Sequence, residues 1–171
     1  MMPQEHFLRD FGIDSGQNGQ MMKNKVDDSI SLEITFHAPI QNVWKAWTDP
    51  ALILKWIGSD PKGKGLRAQM DVQPGGTFEI SFRGSDRVEH TCFGMYTEVK
   101  EFRKLIFSWE WKSEPGVESL VIIELSPDGN DTFMQFEHTG VGNHSMHNYL
   151  DGWTRTFEKL KQLLNRKQSD L

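Results

Sequence analysis

His138, His144 and His147 crowd one short stretch late in the chain. A zinc ion asks for three or four nitrogen, sulfur or oxygen donors in a tetrahedron, and His144 and His147 share a face if that stretch is helical. The single thiol, Cys92, is remote in sequence. Capping, packing or surface duty is the reading these histidines favour, with no metal. A second pattern is WIGSDPKGKG, Trp56 to Gly65, where Gly58, Gly63 and Lys64 stand as they would in a phosphate-binding loop. That motif ends in a hydroxyl residue that holds magnesium, and it runs from a strand into a helix whose N–H groups face the phosphates. Here the last place is Gly65, PALILKWIG before it reads as a helix and LRAQMDVQPGG after it as a strand. The order is reversed, so the segment is expected to be a flexible basic loop. The third possibility is acid–base chemistry by a group whose pKa is displaced in an apolar pocket. His90, Glu110, Glu124 and Glu137 all fall on expected strands. If Trp109, Phe136 and His138 face inward, Glu110 and Glu137 face out, and Glu124 does so when Ile123 and Leu125 face in. His138 and His90 remain as the catalytic candidates, although a hydrogen-bonded pocket histidine without catalytic duty suits both positions.

The elements that must position these groups are legible from periodicity. SISLEITFHA alternates Ile30, Leu32, Ile34 and Phe36 with polar neighbours, the period of a half-buried strand. Pro39 opens APIQNVWKAWTDP, whose Ile40, Val43, Trp44 and Trp47 recur at helical spacing until Pro50. ALILKWIG predicts a second short helix, ended by Gly58. The middle of the chain reads as strands separated by turn residues: LRAQMDV, TFEISFRG, VEHTCFGMYTEVKE, KLIFSWEWK, VESLVIIELSP and DTFMQFEHTG. That spacing implies an antiparallel meander. Phe78, Ile80 and Phe82 share one face, as do Phe107, Trp109 and Trp111. Near the C-terminus Leu150, Trp153, Phe157, Leu160 and Leu164 line up one side of a helix of roughly five or six turns. Lys159, Lys161, Arg166 and Lys167 gather toward its C-terminal end, where the helix dipole favours cations. Only the apolar face of the meander is large enough to cover that stripe. The expected class is therefore α+β: a curved antiparallel sheet of six to seven strands gripping a long C-terminal helix, with two short helices after the first strand. Residues 1–28 lack sustained periodicity and read as a flexible N-terminal tail, leaving 29–168 as the domain.

Composition excludes several functions. A chain of 171 residues suits one domain with one core. Its net charge of -5 argues against a nucleic-acid partner, since phosphates demand a basic face. One cysteine excludes an internal disulfide framework, and MMPQEHFLRDFGIDSGQNGQ interrupts the apolar run that a signal peptide requires. No apolar stretch approaches the ~18 residues of a spanning helix. A cytoplasmic location without stable membrane insertion is the expectation.

The order of the elements, with the phrases APIQNVWKAWTDPALILKWIG, PGGTFEI, GMYTEVKEFRKLIFSWEW, and FEHTGVGN followed by GWTRTFEKLKQLL, resembles the activator of heat shock protein 90 ATPase homologue-like family. That family belongs to the wider START-like, or helix-grip, superfamily, and the likeness spans about residues 30 to 166. The resemblance implies a sheet that grips the long helix around a cavity holding apolar ligands in several relatives. It implies no universal catalytic residue, because relatives include chaperone activators, lipid carriers and polyketide cyclases.

Within that frame the candidate ligand-binding surface is aromatic and thioether. Trp56, Met70, Phe78, Phe82, Phe107 and Trp109 contribute from the first part of the chain, and Phe136, His138, Met146, Trp153 and Phe157 from the last. The same side chains would also make a solid core, and it is the resemblance that favours a cavity. The expected function is binding of a hydrophobic small molecule between sheet and helix, with no metal, nucleotide or other cofactor. One alternative is a co-chaperone-like module stimulating a heat shock protein 90-type ATPase, meeting its chaperone partner through the loop of Lys62, Lys64 and Arg67. The other is a cyclase- or hydrolase-like enzyme using His138 or His90 in the same cavity.

Overall fold

The alternation read from SISLEITF is realised in full: Ile30, Leu32, Ile34 and Phe36 are buried while the residues between them are half-buried. In the computed structural model, which describes residues 21–142 and 147–169 and side chains as far as Asn165, this segment is β2, Ser29–Phe36. It pairs antiparallel with β1, Met22–Val26, on one side and with β8, Asp131–Thr139, on the other. Helix α1, Ile40–Thr48, and helix α2, Pro50–Ile53, follow β2. Asp49 stands between them and caps α2, its Oδ1 accepting from the N–H groups of Ala51 and Leu52 at 2.8 and 3.2 Å, with Pro50 in the first helical place. Then come β3, Lys64–Met70, β4, Thr77–Arg83, β5, Glu89–Lys100, β6, Lys104–Trp111, and β7, Ser119–Asp128. Helix α3, Tyr149–Ser169, closes the chain.

The eight strands form one antiparallel sheet in the order β1-β2-β8-β7-β6-β5-β4-β3. Each strand from β3 to β8 lies beside its sequence neighbour, as expected of a meander, and β2 closes on β8. Among the described residues the expected six to seven strands become eight because Met22–Val26, assigned to the tail, is a strand. Its sequence MKNKV hides this: Lys23 and Lys25 are exposed and their neighbours are only half-buried, a pattern suited to a charged edge that resists pairing with other chains. Residues 1–20 of the expected tail lie outside the described residues.

Among the described residues, three helices cover the inner face of the sheet. Trp153, Phe157, Leu160 and Leu164 of α3 are buried against it, as their spacing requires. Trp47 of α1 meets Phe136 of β8, Trp153 and Phe157 at ring separations of 6.4, 6.3 and 6.0 Å. An aromatic layer therefore fills the space between sheet and helices. Among the described residues, no helix is long and apolar enough to cross a membrane.

Where β5 runs beside β6 at Gly94, the two backbones approach too closely for a side chain. A Cβ on Gly94 would collide with the Ser108 carbonyl oxygen and come within 2.8 Å of the Phe78 ring. Neither neighbour can yield cheaply, one being backbone and the other core. Gly94→Ala is expected to destabilise the protein by about 3 kcal/mol or more, read as a lowered urea midpoint with an unchanged m-value.

Candidate functional site

His138 lies at the centre of the sheet-to-helix junction, fully buried on β8. Its Nδ1 accepts from the indole N–H of Trp153 on α3 at 3.0 Å, which leaves the other nitrogen to carry the proton. That nitrogen, Nε2, donates to the Ser119 hydroxyl at 2.7 Å, and the hydroxyl donates onward to the Trp109 carbonyl at 3.1 Å. Every donor in this chain has an acceptor. Burial holds the ring well below the ordinary histidine range, at about 3, so it stays neutral across the physiological range. Both ring nitrogens are engaged inside the protein.

One helical turn away toward the start of α3, packing gives way to a cavity of about 240 Å³. Phe82, Trp109, Trp111, Tyr149 and Trp153 provide aromatic walls, while His90, His147 and Asp151 are the charged or titratable groups around it. The walls are tied together. The Trp111 indole N–H donates to the Tyr149 hydroxyl at 2.8 Å, and the Trp111 ring stacks on His147 at 4.3 Å. His147 stands 6.2 Å from His90, ring to ring. Burial lowers the pKa of His147, and proximity to His90 adds to that, against an opposing pull from Glu114. The space exists because α3 turns its smallest residue toward it. A Cβ on Gly152 would meet nothing within 4 Å.

The loop after α2 closes another side through Ile57, Gly58 and Ser59. The second helix, expected to run to Gly58, stops at Ile53 and gives way to turns; Gly58, with a φ of 93°, lies beyond it in the loop, and a Cβ there would press on the Phe82 ring at 2.7 Å. Lys159, expected to answer the helix dipole, instead reaches from α3 and donates to the carbonyls of Ile57, Gly58 and Asp60 at 3.2, 3.1 and 3.1 Å. The Asp60 carboxylate accepts from the Ser85 N–H and hydroxyl, both at 2.7 Å, and from the Lys62 N–H at 2.8 Å. Those hydrogen bonds hold its pKa down at about 2. The segment that resembles a phosphate loop is thus fastened to both sheet and helix, with its carbonyls, rather than its amides, used to hold a cation of the protein itself.

Of the side chains named from sequence, Phe82, Trp109 and Trp153 line the cavity, and His90 lies beside them. Phe78 and Phe107 border a small void deeper in the core. Trp56, Phe136, Phe157 and His138 are packed solidly, and Met70 is partly buried at the edge of the core. Met146 and His144 lie outside the described residues. Sequence reasoning did not single out Trp111 or Tyr149 for the cavity, nor the small Gly152 and Thr156. A signal existed for these: Tyr149, Gly152 and Thr156 stand four before, one before and three after Trp153, on or beside its helix face. Glu124 and Glu137 face outward and Glu110 is half-buried on the same outer side, as alternation requires. Cys92 is fully buried, and burial pushes its thiol up, away from the reactive thiolate.

The family model described as activator of Hsp90 ATPase homolog 1-like protein matches residues 37–165, most of the chain and every element from α1 through the cavity-forming part of α3. The chain belongs to this family. An uncharacterized protein of Schizosaccharomyces pombe is 28% identical over 102 residues, covering 59% of this chain and 26% of that protein. The chain thus spans about a quarter of the length of that curated relative. Among solved structures, a protein from Nitrosomonas europaea aligns with a TM-score of 0.71 at 21% identity, covering 85% of this chain and 99% of its own. One from Rhodobacter sphaeroides aligns with a TM-score of 0.73 at 16% identity, covering 86% and 99%. CalU16 from Micromonospora echinospora aligns at 0.63 and 21%, covering 90% of each chain. At these identities the structures share the family's fold, and the fold alone.

The neutral, sealed His138 has a consequence for stability. Below the ordinary histidine pKa of about 6.5 the unfolded chain takes up a proton on this ring that the folded chain refuses until about pH 3. Acid therefore favours unfolding through His138, by about 1.4 kcal/mol per pH unit in that window. His138→Leu is expected to be less stable at pH 7, because Trp153 and Ser119 lose their partner, yet to show a shallower loss of stability from pH 6 to pH 4. Urea unfolding of both proteins across that range measures the difference in slope.

Proposed function

We propose that this domain binds a small, largely apolar molecule in the cavity at the N-terminal end of α3. The carrying observation is the cavity itself: aromatic walls on several sides, a polar fringe at His90, His147 and Asp151, and a glycine on the covering helix that leaves the space open. Sites of this composition bind by burying apolar surface and orient the ligand with few polar groups. Membership in the family supports ligand binding or activator-like roles in general.

His90 borders the cavity, whereas His138 has both nitrogens occupied by Trp153 and Ser119. An enzymatic variant of this reading would therefore use His90 with His147, and unchanged turnover in His90→Ala on a discovered substrate would remove it. The family description also names an activator of a chaperone ATPase, and Lys62, Lys64 and Arg67 are exposed, Arg67 pairing with Glu89 at 3.0 Å. The walled cavity favours the small-molecule reading over a protein partner.

Native mass spectrometry of the purified protein, followed by release and identification of any adduct, is the direct test. A stoichiometric apolar adduct is expected. Gly152→Leu should abolish it, since the new side chain enters open space, while the fold is retained and gains up to about 1 kcal/mol from the replaced helical glycine. Retention of the adduct by Gly152→Leu would place the ligand elsewhere.

A further inference from the structure

Three of the tryptophans around the site give their indole N–H groups to protein acceptors: Trp56 to the Ala46 carbonyl, Trp111 to Tyr149 and Trp153 to His138. Two do not. The N–H groups of Trp47 and Trp109 are sealed from solvent and have no hydrogen-bond partner, although these residues are only 3% and 4% exposed. Native interiors rarely leave such donors unanswered. Edge-to-face contacts of Trp47 with Trp56 and of Trp109 with Trp111, at 4.7 and 5.3 Å, are weaker than a bond to oxygen. Both unanswered tryptophans border the same small void of about 10 Å³. Trp109 and Ile57 also line the outer cavity, so they stand between the two spaces.

We propose that the ligand of the outer cavity is a one- or two-ring aromatic molecule bearing an uncharged carbonyl, whose oxygen enters the inner void and accepts from Trp47 and Trp109. This rests on the cavity being a ligand site and adds the chemical class. The size follows from volume: a cavity of about 150 Å³ admits benzene, and the outer space is about 240 Å³. The void has room for a single oxygen-sized group. Neutrality follows from its lining, which is aliphatic and aromatic apart from the two indoles and Tyr96. Burial raises the Tyr96 pKa, so its hydroxyl stays protonated and brings no charge. A carboxylate placed there would lose its hydration with no cation to answer it.

The full chain is titrated with 2-acetylnaphthalene, 2-ethylnaphthalene and 2-naphthoate by calorimetry, with indole N–H resonances followed by NMR in nitrogen-15-labelled protein. The ketone is expected to bind roughly three- to tenfold more tightly than the hydrocarbon, the worth of one or two neutral hydrogen bonds, and the carboxylate least. The ketone should move the Trp47 and Trp109 indole N–H signals downfield, and the hydrocarbon should not. Trp47→Phe and Trp109→Phe assign those signals and should bring the ketone-to-hydrocarbon ratio toward one. If either variant fails to fold, the downfield shift in the unmodified chain decides. Equal affinity for ketone and hydrocarbon without that shift, or tightest binding of the carboxylate, overturns the carbonyl assignment while leaving the cavity as an apolar site. Binding of none of the three overturns both readings.

Discussion

The indole of Trp153 reaches from the long helix to the ring of His138 at the heart of the sheet, and this hydrogen bond sets where α3 lies over β8. Hydrophobic packing alone is non-directional and would tolerate small slides or rotations of the helix. A buried polar chain does not, because displacing it leaves the indole N–H, the imidazole and the Ser119 hydroxyl unsatisfied together. Lys159 fixes the same helix from its other side by gathering three carbonyls of the loop after α2. With both ties in place, the first turns of α3 stand above β5 and β6 at a separation that packing does not fill.

From that constraint the interior divides into two regimes. Toward the middle of α3, Trp56, Phe136 and Phe157 interlock and leave no room, with Phe136 and Phe157 rings 5.0 Å apart edge to face. Toward the start of α3, Gly152 takes a place where a larger side chain would fill the space, while Gly58 on the loop lies against the Phe82 ring. The same aromatic richness therefore makes a rigid floor in one region and cavity walls in the other. Rigidity of the floor matters to the walls: Trp109 belongs to both, contacting Trp153 at 5.1 Å within the core and facing the open space. Walls anchored in a close-packed floor have little freedom to collapse into the space beside them.

Electrostatics separate the two regimes as well. The deep histidine is held neutral and serves the architecture, whereas His90 and His147 stand at the cavity with Glu114 and Asp151 near them. The titratable side chains that border the space are thus these two histidines and Asp151, beside Tyr149.

The architecture was largely legible in the sequence because it rests on periodicity: alternation in SISLEITF, helical spacing from Trp153 to Leu164, and the proline at Pro50 each reflect local geometry that a chain carries with it. The first strand was not, since MKNKV has too little apolar contrast and becomes a strand only when β2 supplies its hydrogen bonds. The inward direction of His138 could be read by parity, but its role could not, because Trp153 and Ser119 reach it only after the sheet closes and the helix docks. The list of aromatic candidates was chemically right and spatially mixed: Trp56 and Phe157 fill the core while Trp111 and Tyr149 frame the cavity, a distinction set by which neighbours leave room. What a residue is and which face it occupies are properties of the local chain. Whether a group of apolar faces encloses solid packing or a cavity depends on the distance between elements far apart in sequence, and only the tertiary structure decides that.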